Sequence, residues 1–328
     1  MNAAKHSGCW GVPLAKPRVA LSAASPRADY RAVGLPLQSL TRNAHHVSHR
    51  TMSCIFSTLL GLILSATLFA QKAGKADDIF EKAIGAYEKG NYWEAAQGFK
   101  TIVEHHPKFK YHDQCTYNLA QSLSDADSVD QAIVWYEKIR ASEVKDDDPV
   151  GGRGIFEPFA NYKHYSTRNI GTIEYNRGNY EKALDYYQQS RNFYPYHNTS
   201  GTDIRIQENI VTIYIADCLE KLDRRDEALA LLLAQALDSE GSSNYRALVA
   251  RTLKLIDKSF SRDSVLIDLD SSLSSLNLAS NKRELNWTFK GKTQILDPYM
   301  WVETELTAEA FALAIKKSEF WTELSKPK

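Results

Sequence analysis

Three short clusters in this 328-residue chain hold residue types that do chemistry. Asp146-Asp147-Asp148 places adjacent carboxylates beside Pro149, a donor set that suits a hard divalent cation. Calcium loops need alternating ligands, a central glycine and a terminal glutamate, and that spacing is missing, so the reading is a solvated acidic loop. Gly151-Gly152-Arg153-Gly154 offers backbone N–H groups of the kind that cradle phosphate. It lacks the Lys-Ser/Thr ending of a nucleotide loop and shows no helix directly after it. His105, His106 and His112 flank Pro107, but a metal needs convergent, supported ligands, whereas these fall at a helix end and a turn.

No Gly-x-Ser-x-Gly elbow, His-Glu-x-x-His pair or Cys-x-x-Cys pair is present. Separated residues can still converge in a fold, so this lowers the expectation of catalysis without removing it. Asn198-Thr199-Ser200 and Asn286-Trp287-Thr288 fit the glycosylation acceptor pattern, which is common by chance and carries no weight alone. The expectation is a non-enzymatic protein with no catalytic, cofactor-binding or metal residues.

The elements that hold these clusters belong to an ordinary folded composition, 43% hydrophobic and 24% charged. Net charge is zero but uneven: residues 1–51 carry seven Lys or Arg against one acid, leaving 33 basic against 39 acidic residues beyond. The mildly acidic remainder has no basic stripe of the kind a phosphate backbone requires, which excludes nucleic acid as the expected partner.

Residues 1–51 show no helical or strand period and are rich in Ala, Ser, Arg and Pro. An organelle transit peptide is one reading; upstream sequence ahead of a true start at Met52 is preferred. Cys54 to Ala70 is an uncharged run of 17 residues followed by Gln71. Its length suits a signal-peptide core and is short for a membrane span. Residues 52–70 are thus expected to be a signal peptide, with an uncleaved anchor giving membrane attachment through 54–70 as the alternative. The chain would then be exported and periplasmic or envelope-associated. Processing would leave Cys115 and Cys218, expected as buried free thiols although export would permit a disulfide.

Beyond residue 75 one pattern recurs. Gly90-Asn91-Tyr92 is followed by Ala95, Phe99 and Pro107; Asp127-Ser128-Val129 by Ala132 and Tyr136; Gly178-Asn179-Tyr180 by Ala183, Tyr187 and Pro195; Asp223 by Ala228 and Leu232. Ile79, Ala83, Ile84 and Tyr87 precede the first turn at helical spacing. Small Ala83 and Ala95 suit the crossing of two antiparallel helices, and large Tyr92 and Phe99 suit the seam between neighbouring hairpins. Pro107 stops the second helix. The repetition predicts stacked helical hairpins over 75–240.

These residues resemble the tetratricopeptide repeat, a helix–turn–helix unit of about 34 residues. The resemblance assigns packing roles to Ala83, Tyr92, Ala95, Phe99 and Pro107 in the first copy. Gly171, Tyr180, Ala183, Tyr187 and Pro195 hold them in the third, with Gly171 at the close crossing. Weaker copies give Ala120, Ala132 and Tyr136, then Ala216, Ala228 and Leu232. The key alanines at 95, 132, 183 and 228 are unevenly spaced, so 141–162 and 196–202 read as insertions. The fold class expected is all-α: a right-handed superhelix of helical hairpins.

Residues 241–328 read as an atypical cap. Tyr245, Leu248, Val249, Leu253 and Ile256 keep helical spacing, as do Leu266, Leu269, Leu273 and Leu276. Leu285, Trp287, Phe289 and Gly291 alternate weakly, which suits a short strand pair. Leu306 to Leu324 reads as one amphipathic helix.

In proteins of the resembled type the concave surface is lined by the first helix of each hairpin. The resemblance therefore implies a peptide-binding face of Phe80, Ile84 and Tyr87; Tyr117 and Gln121; Arg168, Thr172 and Tyr175; and Ile213, Asp217 and Glu220. Such a lining suits an extended peptide or a helix in a groove. The function expected is a protein- or peptide-binding scaffold of the cell envelope that needs no cofactor. Two alternatives stand beside it: the adaptor portion of an enzyme or signalling protein, and a self-associating structural protein of the envelope.

Overall fold

The computed structural model describes residues 75–149, 158–280, 284–297 and 306–327. Four helical hairpins come first: α1 (75–88) with α2 (Tyr92–His105); α3 (His112–Asp125) with α4 (Val129–Arg140); α5 (Tyr162–Asn176) with α6 (Tyr180–Asn192); and α7 (Gly201–Lys221) with α8 (Arg225–Asp238). Within each hairpin the connection is three residues long: 89–91, 126–128, 177–179 and 222–224. So short a link forces its two helices antiparallel.

The four turns share one backbone solution. Gly90, Asp127, Gly178 and Asp223 take φ of 81°, 62°, 82° and 60°. That left-handed conformation costs glycine nothing and is tolerated by Asp. The next residue then donates its N–H back six positions, counted inclusively: Asn91 to Ala86 O, Ser128 to Leu123 O, Asn179 to Glu174 O and Arg224 to Leu219 O. This is the Schellman closure of a helix end. The residue that makes this bond offers its own carbonyl to the repeat alanine, at 2.9–3.1 Å in all four hairpins.

Those alanines are sealed inside the hairpins. Ala95, Ala132, Ala183 and Ala228 each have 0% exposure. A small side chain lets paired helices approach closely, and bulkier side chains fill the space around it. Phe99, Tyr136, Tyr187 and Leu232 are buried one turn further on. Each such side chain contributes about 2 kcal/mol by leaving water. Tyr87 packs edge-on against Tyr92 at 5.2 Å and 61°, and Tyr175 meets Tyr180 at 5.2 Å and 65°. The first and third hairpins thus repeat an aromatic contact as well as a turn.

The long insertion before α5 has a structural task. Asp146 accepts hydrogen bonds from the backbone N–H groups of Lys163 and His164, both at 2.7 Å. It caps the first turn of α5 across a gap of 17 residues. Asn161, at φ 50°, exchanges two hydrogen bonds with the backbone of His197 and ties this entry to the following loop. Asp146 is therefore buried and bonded and not solvated as the sequence suggested. The glycine-rich stretch 151–154 lies outside the described residues, as do the leader 1–51 and the apolar run 54–70. Among the described residues no helix is long and apolar enough to cross a membrane.

The last third caps the stack. α9 (Tyr245–Ser259) and α10 (Arg262–Ser272) continue the helical order, then a single 3-10 turn leads to a sheet. Its three antiparallel strands run in the order β1 (Asn277–Leu278), β2 (Leu285–Phe289), β3 (Lys292–Leu296). The hairpin joining β2 and β3 turns at Lys290-Gly291, both with positive φ, which matches the right-handed twist of the strands. Leu285, Trp287 and Phe289 all face inward, and Trp287 donates its Nε1–H to Ser272 Oγ at 3.0 Å. The strand pair expected from the sequence is present with a third strand beside it, so the helical architecture carries one small sheet. The terminal helix is split: α11 (Ala308–Lys317) ends at Ser318, whose hydroxyl caps Trp321 N–H and starts α12 (Glu319–Leu324).

Two apolar cores follow. One gathers Phe80 through Tyr196 from the first three hairpins; the other runs from Ala183 to Leu324 and joins the fourth hairpin to the cap. Cys115 and Cys218 are buried free thiols, one in each core, with burial pushing both up to about 12.

Candidate functional site

A groove of about 560 Å³ opens along the first helices of the hairpins. Its lining comes from Tyr87 on α1; Tyr117, Gln121, Ser124 and Asp125 on α3; Arg168, Asn169, Thr172, Ile173 and Asn176 on α5; and Tyr214 on α7, with Asp127 and Arg177 in the rim turns and Val129 at the start of α4. Each three-residue turn sets its two helices antiparallel, and the first helices of the four hairpins follow one another along the groove.

One hydrogen-bonded chain runs across the floor. Tyr87 Oη donates to Asp125 Oδ2 at 2.6 Å, and Gln121 Nε2 donates to the same oxygen at 3.2 Å. Gln121 Oε1 accepts from Tyr136 Oη at 3.1 Å and from Asn169 Nδ2 at 3.0 Å. Asn169 Nδ2 also reaches Tyr136 Oη at 3.0 Å. Further along, Thr172 Oγ1 meets Tyr187 Oη at 3.1 Å, and Arg168 Nη1 donates to Gln207 Oε1 at 2.7 Å. The links pass from hairpin to hairpin, so they fix the side chains relative to one another before anything binds. Burial, reinforced by the bond to Asp125, raises the Tyr87 hydroxyl far above its ordinary value and keeps it a donor.

Five residues of the expected face line this groove: Tyr87, Tyr117, Gln121, Arg168 and Thr172. The other six do not. Phe80 and Ile84 are 4% and 6% exposed and belong to the first core, where Phe80 packs against Phe99, Phe109 and Tyr111. Tyr175 is engaged with Tyr180, and Ile213 packs against the second core. Asp217 and Glu220 are both held by Arg251 of α9 at 2.6 Å, and Glu220 also by Lys258. The cap helix thus covers the face that the fourth hairpin would have offered. Burial raises Asp217 despite Arg251 beside it; for Glu220 the opposing pull of burial is outweighed by Lys258 and Arg251, which lower it.

Asn169, Asn176, Arg177, Asp125 and Tyr214 were missed. A fixed helical period marks one stripe, whereas the groove takes two adjacent stripes of α5. The turn residues carried a signal, since Asp127 opens one recognised turn and Arg177 directly precedes another.

The histidines do not converge. His112 Nε2 lies 3.4 Å from Val103 O, His106 is buried, and among the described residues no group of His, Cys, Asp and Glu is arranged to hold a metal ion. His164 is buried beneath α6, its Nδ1 within 2.8 Å of Tyr194 O. Burial drives its imidazole down to about 3, so it is neutral and donates to that carbonyl.

No family model matches the chain, and no curated protein matches it by sequence. Among solved structures, it is similar to a Podosopora anserina protein described as a kinesin light chain with nearly identical TPR-like repeats. That match has a TM-score of 0.41 at 13% identity and covers 56% of this chain and 87% of the other. A tetratricopeptide repeat protein from Parabacteroides merdae matches with a TM-score of 0.32 at 13% identity, over 61% of this chain and 80% of the other. The tetratricopeptide-like character of the four hairpins rests on their own turns and alanines.

Proposed function

We propose that this chain is a recognition scaffold that binds an extended peptide or protein segment in the groove formed by α1, α3, α5 and α7. The observation that carries the reading is the Tyr87–Asp125–Gln121–Asn169 chain of hydrogen bonds. It supports an ordered row of polar side chains along an open groove, tied from hairpin to hairpin. A host surface fixed in advance loses little conformational entropy on binding, so polar contacts to an extended backbone translate into affinity.

Selection from a random peptide library on the full chain tests this. Binders are expected whose affinity falls about tenfold or more when Gln121 and Asn169 are both replaced by alanine. Binders indifferent to that double replacement would place recognition elsewhere. We further propose export to the cell envelope, from the uncharged run 54–70; N-terminal sequencing of the mature chain, with a start near Gln71 expected, tests that separately.

A further inference from the structure

Four charged side chains line the groove, and only one is neutralised within the fold. Arg177 Nη2 binds Asp130 at 2.6 Å, and its Nη1 lies 3.7 Å from Glu174. Arg168 has no carboxylate within 4.0 Å among the described residues. Its guanidinium bonds the neutral amide of Gln207 and lies 4.9 Å over the ring of Tyr165. Asp125 is held by a phenol and an amide, with no described Lys or Arg in ion-pair range, and Asp127 has none either. Elsewhere Arg205 pairs with Asp238 and Glu208, Arg251 with Asp217 and Glu220, and Arg262 with Asp257, while Arg191 reaches, among the described residues, only the hydroxyl of Thr212. Within the groove, charges of both signs therefore stand without a described ion partner: Arg168 on one side, Asp125 and Asp127 on the other.

Resting on the recognition reading above, we infer that the occupant is a peptide segment of mixed charge. A Lys or Arg of the segment sits at Asp125 and Asp127, and an Asp or Glu sits at Arg168. The opposite signs of Arg168 and of Asp125 and Asp127 call for ligand side chains of opposite charge. The half-buried Tyr87 ring, whose hydroxyl holds Asp125, accepts the aliphatic stem of a basic side chain, whose charged head stays at the rim. Charge matching of this kind sets register and suppresses wrong partners more than it adds raw affinity. A uniformly acidic ligand meets Asp125 and Asp127; a uniformly basic one meets Arg168.

Fluorescence anisotropy on the full chain decides it, using labelled peptides with one Lys and one Glu at varied spacing. Controls carry Glu→Gln, Lys→Gln or both. The mixed peptide of best spacing is expected to bind about tenfold tighter than either single control and to weaken with added salt. Arg168→Gln should abolish the advantage of Glu over Gln and leave that of Lys intact. Asp125→Asn with Asp127→Asn should do the reverse; Asn keeps the left-handed turn at 127, and unchanged melting curves confirm folding. Equal binding of the doubly neutral peptide, lost on replacing Gln121 and Asn169, would overturn the charge inference while leaving the groove intact. Loss of all peptide binding would overturn both.

Discussion

The ring of Tyr187 on α6 occupies the space that any side chain at Gly171 on α5 would enter: a Cβ built there lies 2.8 Å from Tyr187 Cε1 and 2.9 Å from Cδ1. Tyr187 is buried and its hydroxyl holds Thr172 of the groove floor, so the ring cannot swing away without disturbing the site. Gly171→Ala is expected to cost about 1–3 kcal/mol through overpacking, even though alanine favours helix. Chemical denaturation measures it; a stabilised variant would show that α5 and α6 are further apart than described.

The repeat alanines make a harsher test. Ala95 and Ala183 have no exposure, so arginine at either position must bury a charge and force two helices apart. Each replacement is expected to destabilise by more than ~2 kcal/mol. Thermal melts that match the parent would show that the helices do not cross at these residues.

A polar cluster buried between α7, α8 and the start of α9 gives a third. Asn209 is fully buried; its Oδ1 accepts from Gln235 and Ser239, both at 2.8 Å, and its Nδ2 donates to Ser242 and Asn244 at 3.0 and 2.8 Å. Asn209→Leu removes all four bonds and leaves Gln235, Ser239, Ser242 and Asn244 each one partner short. A loss of about 2–4 kcal/mol is expected from urea unfolding, well above that of a surface replacement. A near-neutral effect would mean the cluster is hydrated.

The buried imidazole of His164 ties stability to pH. Its unfolded value is near 6.5 and its folded value about 3, so between the two the unfolded chain binds the extra proton. Stability from this residue is present above about pH 6.5 and is lost as pH falls toward 3. In His164→Asn the amide keeps a donor for the Tyr194 carbonyl but does not titrate. That variant is expected to show a shallower loss of stability over the same window; parallel curves would contradict a neutral, buried His164.

The four hairpin turns were legible because Gly90, Gly178, Asp127 and Asp223 are residue types that pay little for the left-handed conformation, and because an alanine follows each at fixed spacing. The Asp146 cap was not, since it reaches α5 from a loop 17 residues away and local spacing holds no trace of it. Asn209 and Gln235 carry no local sign of their cluster, because Ser242 and Asn244 join it from the segment before α9. The groove was half legible: Gln121, Arg168 and Thr172 fall on the expected stripe, but Phe80 and Ile84 turn into the core and Arg251 claims Asp217 and Glu220. Such losses come from neighbours far along the chain.

Photo-crosslinking from two positions tests the central claim most directly. Asn176 lines the groove and is exposed, while Phe193, 73% exposed after α6, lies outside it. With a photoreactive residue at either position and a library-selected peptide added, crosslinks are expected from 176 and not from 193. Crosslinks from 193 alone would contradict recognition in the groove.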